Sequence, residues 1–181
     1  NRLSMRVHDS QRPEQPRGKQ AVSGIASGID YHCTTGIWQS VWIEPVPPSY
    51  IGQLHIQADL KTSTACIDAV VAHMTEGMSV RVEILDQDTL VAEAVESVSD
   101  SKACLTVPMP SVRAWTPNDP FLYSVRVTLQ IEEDALDQVA SYCGFRTIEV
   151  HGQEILLNGS PLYLKMALDQ GYWRDGLMTA P

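Results

Sequence analysis

Apolar and polar residues alternate with a period of two through most of the middle of this chain, and that alternation predicts β-strands. In "LHIQADL", Leu54, Ile56, Ala58 and Leu60 fall on one face and His55, Gln57 and Asp59 on the other; "SVRVEIL" repeats the pattern with Val80, Val82 and Ile84. "ACLTV", "LYSVRVTLQI" and "YCGFRTIEV" continue the series, separated by the turn-forming stretches "TEG", "DQD" and "TPND". "TLVAEAVESV" fits two periods, because Leu90, Ala94 and Val98 recur at helical spacing while Val91, Glu93 and Val95 alternate. The all-β surroundings decide for a strand. Short strands at this spacing predict an antiparallel β-sandwich of immunoglobulin type, about 100 residues long.

The flanks read differently. "MRVHD", Met5 to Asp9, alternates as a strand does and runs into "SQRPEQPRGKQ", whose prolines and glycine predict a long loop. In "TGIWQSVWIEPVPPSY", Ile37, Val41 and Ile43 with Trp38 and Trp42 predict a strand buried on both faces, ended by Pro45, Pro47 and Pro48. That proline cluster has the composition of an interdomain linker. In "WTPNDPFLY", Pro117 and Pro120 flank Asn118-Asp119 in a rigid loop that delivers Leu122, Val125, Val127 and Leu129 into a strand. Beyond Glu154, "ILLNGSPLYLKMA" sets two apolar runs around Asn158-Gly159, a pair that tolerates positive φ at both positions and predicts a hairpin turn. An apolar strand from Leu162 to Leu168 follows, and then a polar and aromatic stretch from Asp169 to Asp175.

Composition narrows the classes of function. With 181 residues, 44% of them hydrophobic, the chain is globular, and its formal net charge of −9 lacks the concentrated Lys and Arg that phosphate tracking needs. Nucleic acid is therefore excluded as an expected partner. No apolar run approaches the roughly 20 residues of a membrane span, and "NRLSMRVHDSQ" has no apolar core of a signal peptide, so no membrane is expected either. A start without Met suits a segment of something longer. Cys33, Cys66, Cys104 and Cys143 are far apart without CxxC spacing and read as small buried hydrophobes; a disulfide in an exported protein is the alternative. No histidine stands at ligand spacing from a cysteine, so no metal site is expected.

The segments "QPRGKQ", "TTGIWQSVWIEP", "WTPNDPFLY", "CGFRTIEV", "ILLNGSPLYLK" and "LDQGYWRDGLMTAP", in this order and spacing, resemble glycoside hydrolase family 2, the β-galactosidase and β-glucuronidase group. The resemblance implies an all-β chain in three parts: residues 1–48 as the end of a sugar-binding jelly-roll domain with its linker, residues 49–148 as an immunoglobulin-like β-sandwich, and residues 149–181 as the opening hairpin and first strand of a TIM barrel. It implies a parent enzyme that hydrolyses terminal β-glycosides, β-galactosides foremost, with retention. Such enzymes use two carboxylates about 5–5.5 Å apart. In family members both lie on later barrel strands, so no catalytic residue is expected in this chain, and the chain alone is expected to be inactive. Glu132, Glu133 and Asp134 form a charge cluster at a strand end and read as a solvated turn.

Barrel active sites sit at the C-terminal ends of strands. On the resemblance, Asp169 and Gln170 emerge there and suit sugar hydroxyls, with Tyr172 and Trp173 able to stack on a ring; a cap on the following loop is the alternative for Asp169. Trp115 and Arg146 are implied as structural residues at domain junctions, Trp115 packed over the sandwich end and Arg146 in an ion pair or hydrogen-bond fork. Arg17 and Lys19 lie on a loop that reaches toward the barrel mouth in family members, or are solvated charges. Arg174 departs from the family pattern, where Pro is common, and Cys33 stands where a basic residue is expected. Trp38, Trp42 and Leu162 to Leu168 are expected to bury against domains outside this chain. No cofactor is implied. The expected partners are the carbohydrate substrate and the remaining domains of the parent; a free-standing carbohydrate-binding or protein-interaction module is the alternative. Unpaired cysteines suit the cytoplasm, and a leader upstream would instead make the protein periplasmic or secreted.

Overall fold

A computed structural model describes residues 2–180 except 11, 13, 17 and 38. It divides into two compact bodies: residues 44–164, and residues 1–43 together with 165–181. Among the described residues, every strand lies in the first.

Strands β1 (Tyr50–Asp59), β2 (Thr64–Ala72) and β5 (Lys102–Pro108) form one antiparallel sheet in the order β1-β2-β5. Strands β3 (Met78–Asp86), β4 (Thr89–Ser97), β6 (Tyr123–Ile131) and β7 (Asp134–Cys143) form a second in the order β4-β3-β6-β7. The period-two alternation supplies one apolar face to each sheet. Ala65, Ile67, Ala69 and Val71 of β2 and Ala103, Leu105 and Val107 of β5 meet Val80, Val82 and Ile84 of β3 and Val125, Val127 and Leu129 of β6. All are buried, several completely. Each fully buried aliphatic side chain of this size contributes about 1.5–3 kcal/mol relative to exposure. This is the immunoglobulin-type sandwich that the alternation predicts.

β-Bulges set which residues face inward. An extra residue at Gly52 shifts the register between Ile51 and Gln53, so that Ile51 and Leu54 both point to the core. A second shift skips Val91 in β4, between the pairs Ile84–Ala92 and Leu85–Leu90. The ambiguous "TLVAEAVESV" is strand β4, but Ala92 and Ala94 turn toward the core while Val95 is exposed. A third shift, between Leu129 and Gln130, precedes Asp137, whose Oδ2 accepts the Ile51 amide at 2.8 Å. That bond joins an edge strand of one sheet to an edge strand of the other. The "WTPNDP" loop feeds Tyr123, not Leu122, into the inward face; Leu122 is exposed. Glu132 and Glu133 form the exposed turn between β6 and β7, and Asp134 opens β7.

At one end of the sandwich Phe145 is fully buried, edge-on to Tyr123 at 5.6 Å between centroids, and Tyr123 is edge-on to Phe121 at 4.8 Å. Arg113 holds the preceding loop: its guanidinium forks onto Asp119 at 2.6 and 2.8 Å and lies over the Phe121 ring at 4.4 Å. Hydrogen bonding from Arg113 keeps the Asp119 carboxyl below its usual range. After Gly144 to Thr147 interrupt the ladder, β8 (Ile148–His151), β9 (Glu154–Leu157) and β10 (Ser160–Pro161) form a small antiparallel sheet. Asn158 and Gly159 make its tight turn at φ 51° and 78°, as their dipeptide predicts. Lys61 pairs with Glu149, fastening this sheet to the β1–β2 turn.

Three predicted strands are not formed. Residues 5–9, the described residues of 37–43, and residues 162–168 carry no ladder, because none finds a neighbouring strand within this chain to share backbone hydrogen bonds. Trp42 is 76% exposed and Tyr163 84%. Trp38 lies outside the described residues. The cysteines also differ from the buried reading. All four are free thiols, but Cys66 and Cys104 are exposed, since they occupy the outward positions of β2 and β5; Cys33 is half-buried and only Cys143 is buried. Asp68, opposite Cys104 in the ladder, hydrogen-bonds its thiol and raises its pKa.

Phe145→Ala should destabilise the sandwich by about 3–5 kcal/mol in a denaturant titration, because the cavity cannot collapse between two paired sheets. Burial pushes the Cys143 thiol up to about 11 from 9.0. The folded state therefore holds that proton more tightly than the unfolded one, and the associated stability, complete below about pH 9, is lost as pH rises toward 11. Cys143→Val should reduce this alkaline loss in unfolding curves recorded across that window.

Candidate functional site

Among the described residues, the body formed by residues 1–43 and 165–181 has no regular strands, and short local bonds shape it. Tyr31 donates its amide to the Lys19 carbonyl at 2.7 Å and accepts from the Ala21 amide at 2.8 Å, so the 18–21 and 30–34 segments lie side by side. Gln20 and Tyr31 form a parallel bridge there. Ala21 is buried, and Cys33 Sγ donates to its carbonyl at 3.0 Å.

The 168–178 segment comes to these two. Tyr172 stacks on Tyr31 with centroids 4.3 Å apart and planes 15° from parallel, and its hydroxyl reaches the His32 carbonyl at 3.5 Å. Gln170 Oε1 accepts from Lys19 Nζ at 3.0 Å and from the Tyr31 hydroxyl. Around them opens a cavity of about 430 Å³, lined by Lys19, Tyr31, His32, Leu168, Gln170 and Tyr172 among others. Its size falls in the range of small-molecule pockets, and its aromatic walls with a few polar groups are the usual composition of a ligand site. The arrangement offers stacking on an aromatic face, an amide, and a cation held by that amide. Among the described residues no three His, Cys, Asp or Glu side chains are grouped to hold a metal ion.

The residues proposed from sequence separate into two places. Asp169, Gln170 and Tyr172 lie in this body, with Gln170 and Tyr172 on the cavity wall. Asp169 Oδ1 accepts the Gly171 amide at 2.7 Å, so the loop cap occupies one of its oxygens. Trp173 closes a tight turn by exchanging backbone hydrogen bonds with Leu177, at 2.6 and 3.0 Å, with its side chain partly exposed. Trp115 and Arg146 belong to the sandwich body, where the Arg146 guanidinium lies over the Trp115 ring at 4.8 Å. Lys19 is engaged by Gln170; Arg17 lies outside the described residues. Tyr31 and His32 escaped the sequence reading. "DYHCTTG" has no periodicity to mark them, and their contacts come from residues nearly 140 positions away.

The family model of the glycosyl hydrolases family 2 matches residues 49–146, more than half of the chain and nearly coincident with the sandwich. The chain belongs to this family. Among its relatives, the β-galactosidase of Thermoanaerobacter pseudethanolicus is 27% identical over 147 residues, covering 76% of this chain and 20% of that protein. The β-glucuronidase of Rattus norvegicus is 24% identical over 144 residues, covering 76% and 21%. Among solved structures, the β-glucuronidase of Ruminococcus gnavus superposes with a TM-score of 0.50 at 28% identity over 66% of this chain and 20% of that one. The chain thus spans about a fifth of the length of these relatives.

Tyr172→Ala should remove the face that covers Tyr31, cost about 0.5–1.5 kcal/mol of local stability and speed hydrogen exchange at the Tyr31 amide. An unchanged exchange rate would show that the stack does not hold these segments together.

Proposed function

We propose that this chain is a non-catalytic segment of a family 2 glycoside hydrolase whose sandwich spaces and supports the catalytic barrel of a larger enzyme. The observation that carries the reading is the coincidence of the family match with the seven-stranded sandwich, in a chain whose match covers about a fifth of these relatives. On this reading residues 1–48 end a sugar-binding jelly roll, and residues 149–181 open a barrel. The exposed Val41, Trp42, Ile43, Tyr163, Met166 and Leu168 support it, because apolar side chains in such number call for a covering surface.

The complete enzyme hydrolyses terminal β-glycosides with retention, β-galactosides foremost, through two carboxylates outside this chain. Gln170 and Tyr172 contact the sugar there, and Trp173 stacks nearby. Asp169 keeps one oxygen for the loop and offers the other to a hydroxyl. Trp115 and Arg146 serve as junction residues of the sandwich. The free thiols support a reducing, cytoplasmic compartment.

The test is an assay of this chain and of the full polypeptide with chromogenic β-galactosides and β-glucuronides. The full polypeptide should turn over at least one of them and the chain alone neither. Turnover by the purified chain would overturn the assignment of the carboxylates, and micromolar sugar binding by the chain alone would favour a carbohydrate-binding module over a spacer.

A further inference from the structure

The Asn158 side chain ties three segments of the sandwich body together. Its Oδ1 accepts the Thr147 amide at 2.9 Å, its Nδ2 donates to the Trp115 carbonyl at 3.0 Å, and its own amide donates to the Thr147 carbonyl at 3.0 Å. Trp115 in turn donates its amide to the Phe145 carbonyl at 2.9 Å, and the Arg146 guanidinium covers its ring. One carboxamide, half-buried, thus satisfies a donor and an acceptor on separate segments and fastens the β9–β10 turn to the sandwich end. A turn needing only a left-handed residue would accept Asp as well. The Trp115 carbonyl requires a donor, which a carboxylate lacks.

The same residue is chemically vulnerable. Of the three asparagines only Asn158 precedes glycine. With no Cβ on Gly159 to obstruct it, the Gly159 backbone nitrogen can attack Asn158 Cγ. The N–Cγ bond forms, the Cγ–Nδ2 bond breaks, and ammonia leaves with the proton from the Gly159 nitrogen. Water then opens the cyclic imide at either carbonyl, giving aspartate or isoaspartate. No oxidant or cofactor enters.

We propose that Asn158-Gly159 is a deamidation site gated by this latch. While both ends of the carboxamide are held by Thr147 and Trp115, Cγ is kept from the Gly159 nitrogen and the leaving amine from solvent. When the turn opens, the reaction proceeds. Its product has no donor for the Trp115 carbonyl and places a negative charge against that oxygen, so the turn cannot refasten. The site converts a transient local opening into a permanent one.

The test incubates the chain in mildly alkaline buffer, folded and in urea, and follows the tryptic peptide from Thr147 to Lys165 by mass spectrometry with isoaspartate detection. Conversion at Asn158 should be about tenfold or more slower in the folded chain, as expected when reaction requires local opening. Equal rates would overturn the gating. Hydrogen exchange on Asn158→Asp supplies the second measurement: the amides of Thr147 and Asn158 should exchange faster, while those of Val82 and Val127 keep their protection. Unchanged exchange at Thr147 and Asn158, or loss of protection at Val82 and Val127 as well, would overturn the local latch.

Discussion

The sandwich depends on one apolar layer shared by two sheets. Val80, Val82, Val125 and Val127 from one side and Ile67, Val71 and Val107 from the other are wholly or almost wholly withdrawn from water. The backbone ladders go with that burial: peptide groups withdrawn from water must find partners, and neighbouring antiparallel strands supply them. Seven strands with small and β-branched side chains make the layer thin and closely filled. A methyl group added or removed there is felt by both sheets at once.

The ends and edges of the layer need separate solutions. Along one side, the Ile51 amide finds the Asp137 carboxylate across the gap between sheets. At one end, Phe145 closes the layer, and its carbonyl takes the Trp115 amide, so that plug and loop hold each other. The aromatic triplet Phe121, Tyr123 and Phe145 meets edge to face, which lets three large rings fill a narrowing space without stacking. Arg113 spans this end from outside: its fork to Asp119 and its position over Phe121 use the charge and the flat face of one guanidinium for two purposes. The small β8–β9–β10 sheet is then attached by Lys61 with Glu149 and by the Asn158 carboxamide, polar contacts that geometry makes specific but that bury little.

The candidate cavity has a different basis. Its walls come from segments without ladders, so its shape rests on the Tyr31–Tyr172 stack and on the Gln170 contacts. Such a site is softer than one built on strands, and local opening costs it less. Family membership is carried by the sandwich, whereas the residues with chemical potential lie beside the cavity. Fold and site are therefore supported by different observations here.

Much of the sandwich was legible in the chain itself. Alternation alone determines that Val80, Val82 and Ile84 share a face, because a strand has only two faces and one must be dry. Asn158-Gly159 likewise determines its turn, since few residues accept positive φ in succession. Where a bulge falls was not legible: Ile51 and Leu54 face the same way only because Gly52 is skipped by the ladder, and that depends on the opposing strand. The exposure of Cys66 and Cys104 followed from the period of their strands but was hidden by the general tendency of cysteine to be buried. The apolar runs at Ile37 to Ile43 and Leu162 to Leu168 read as strands because hydrophobicity is a property of the chain, while a strand is a relation between two chains or segments. Only the tertiary structure decides whether the second is there. The joining of Gln170 and Tyr172 with Tyr31 was decided in the same way, through contacts that span most of the chain and that no local pattern encodes.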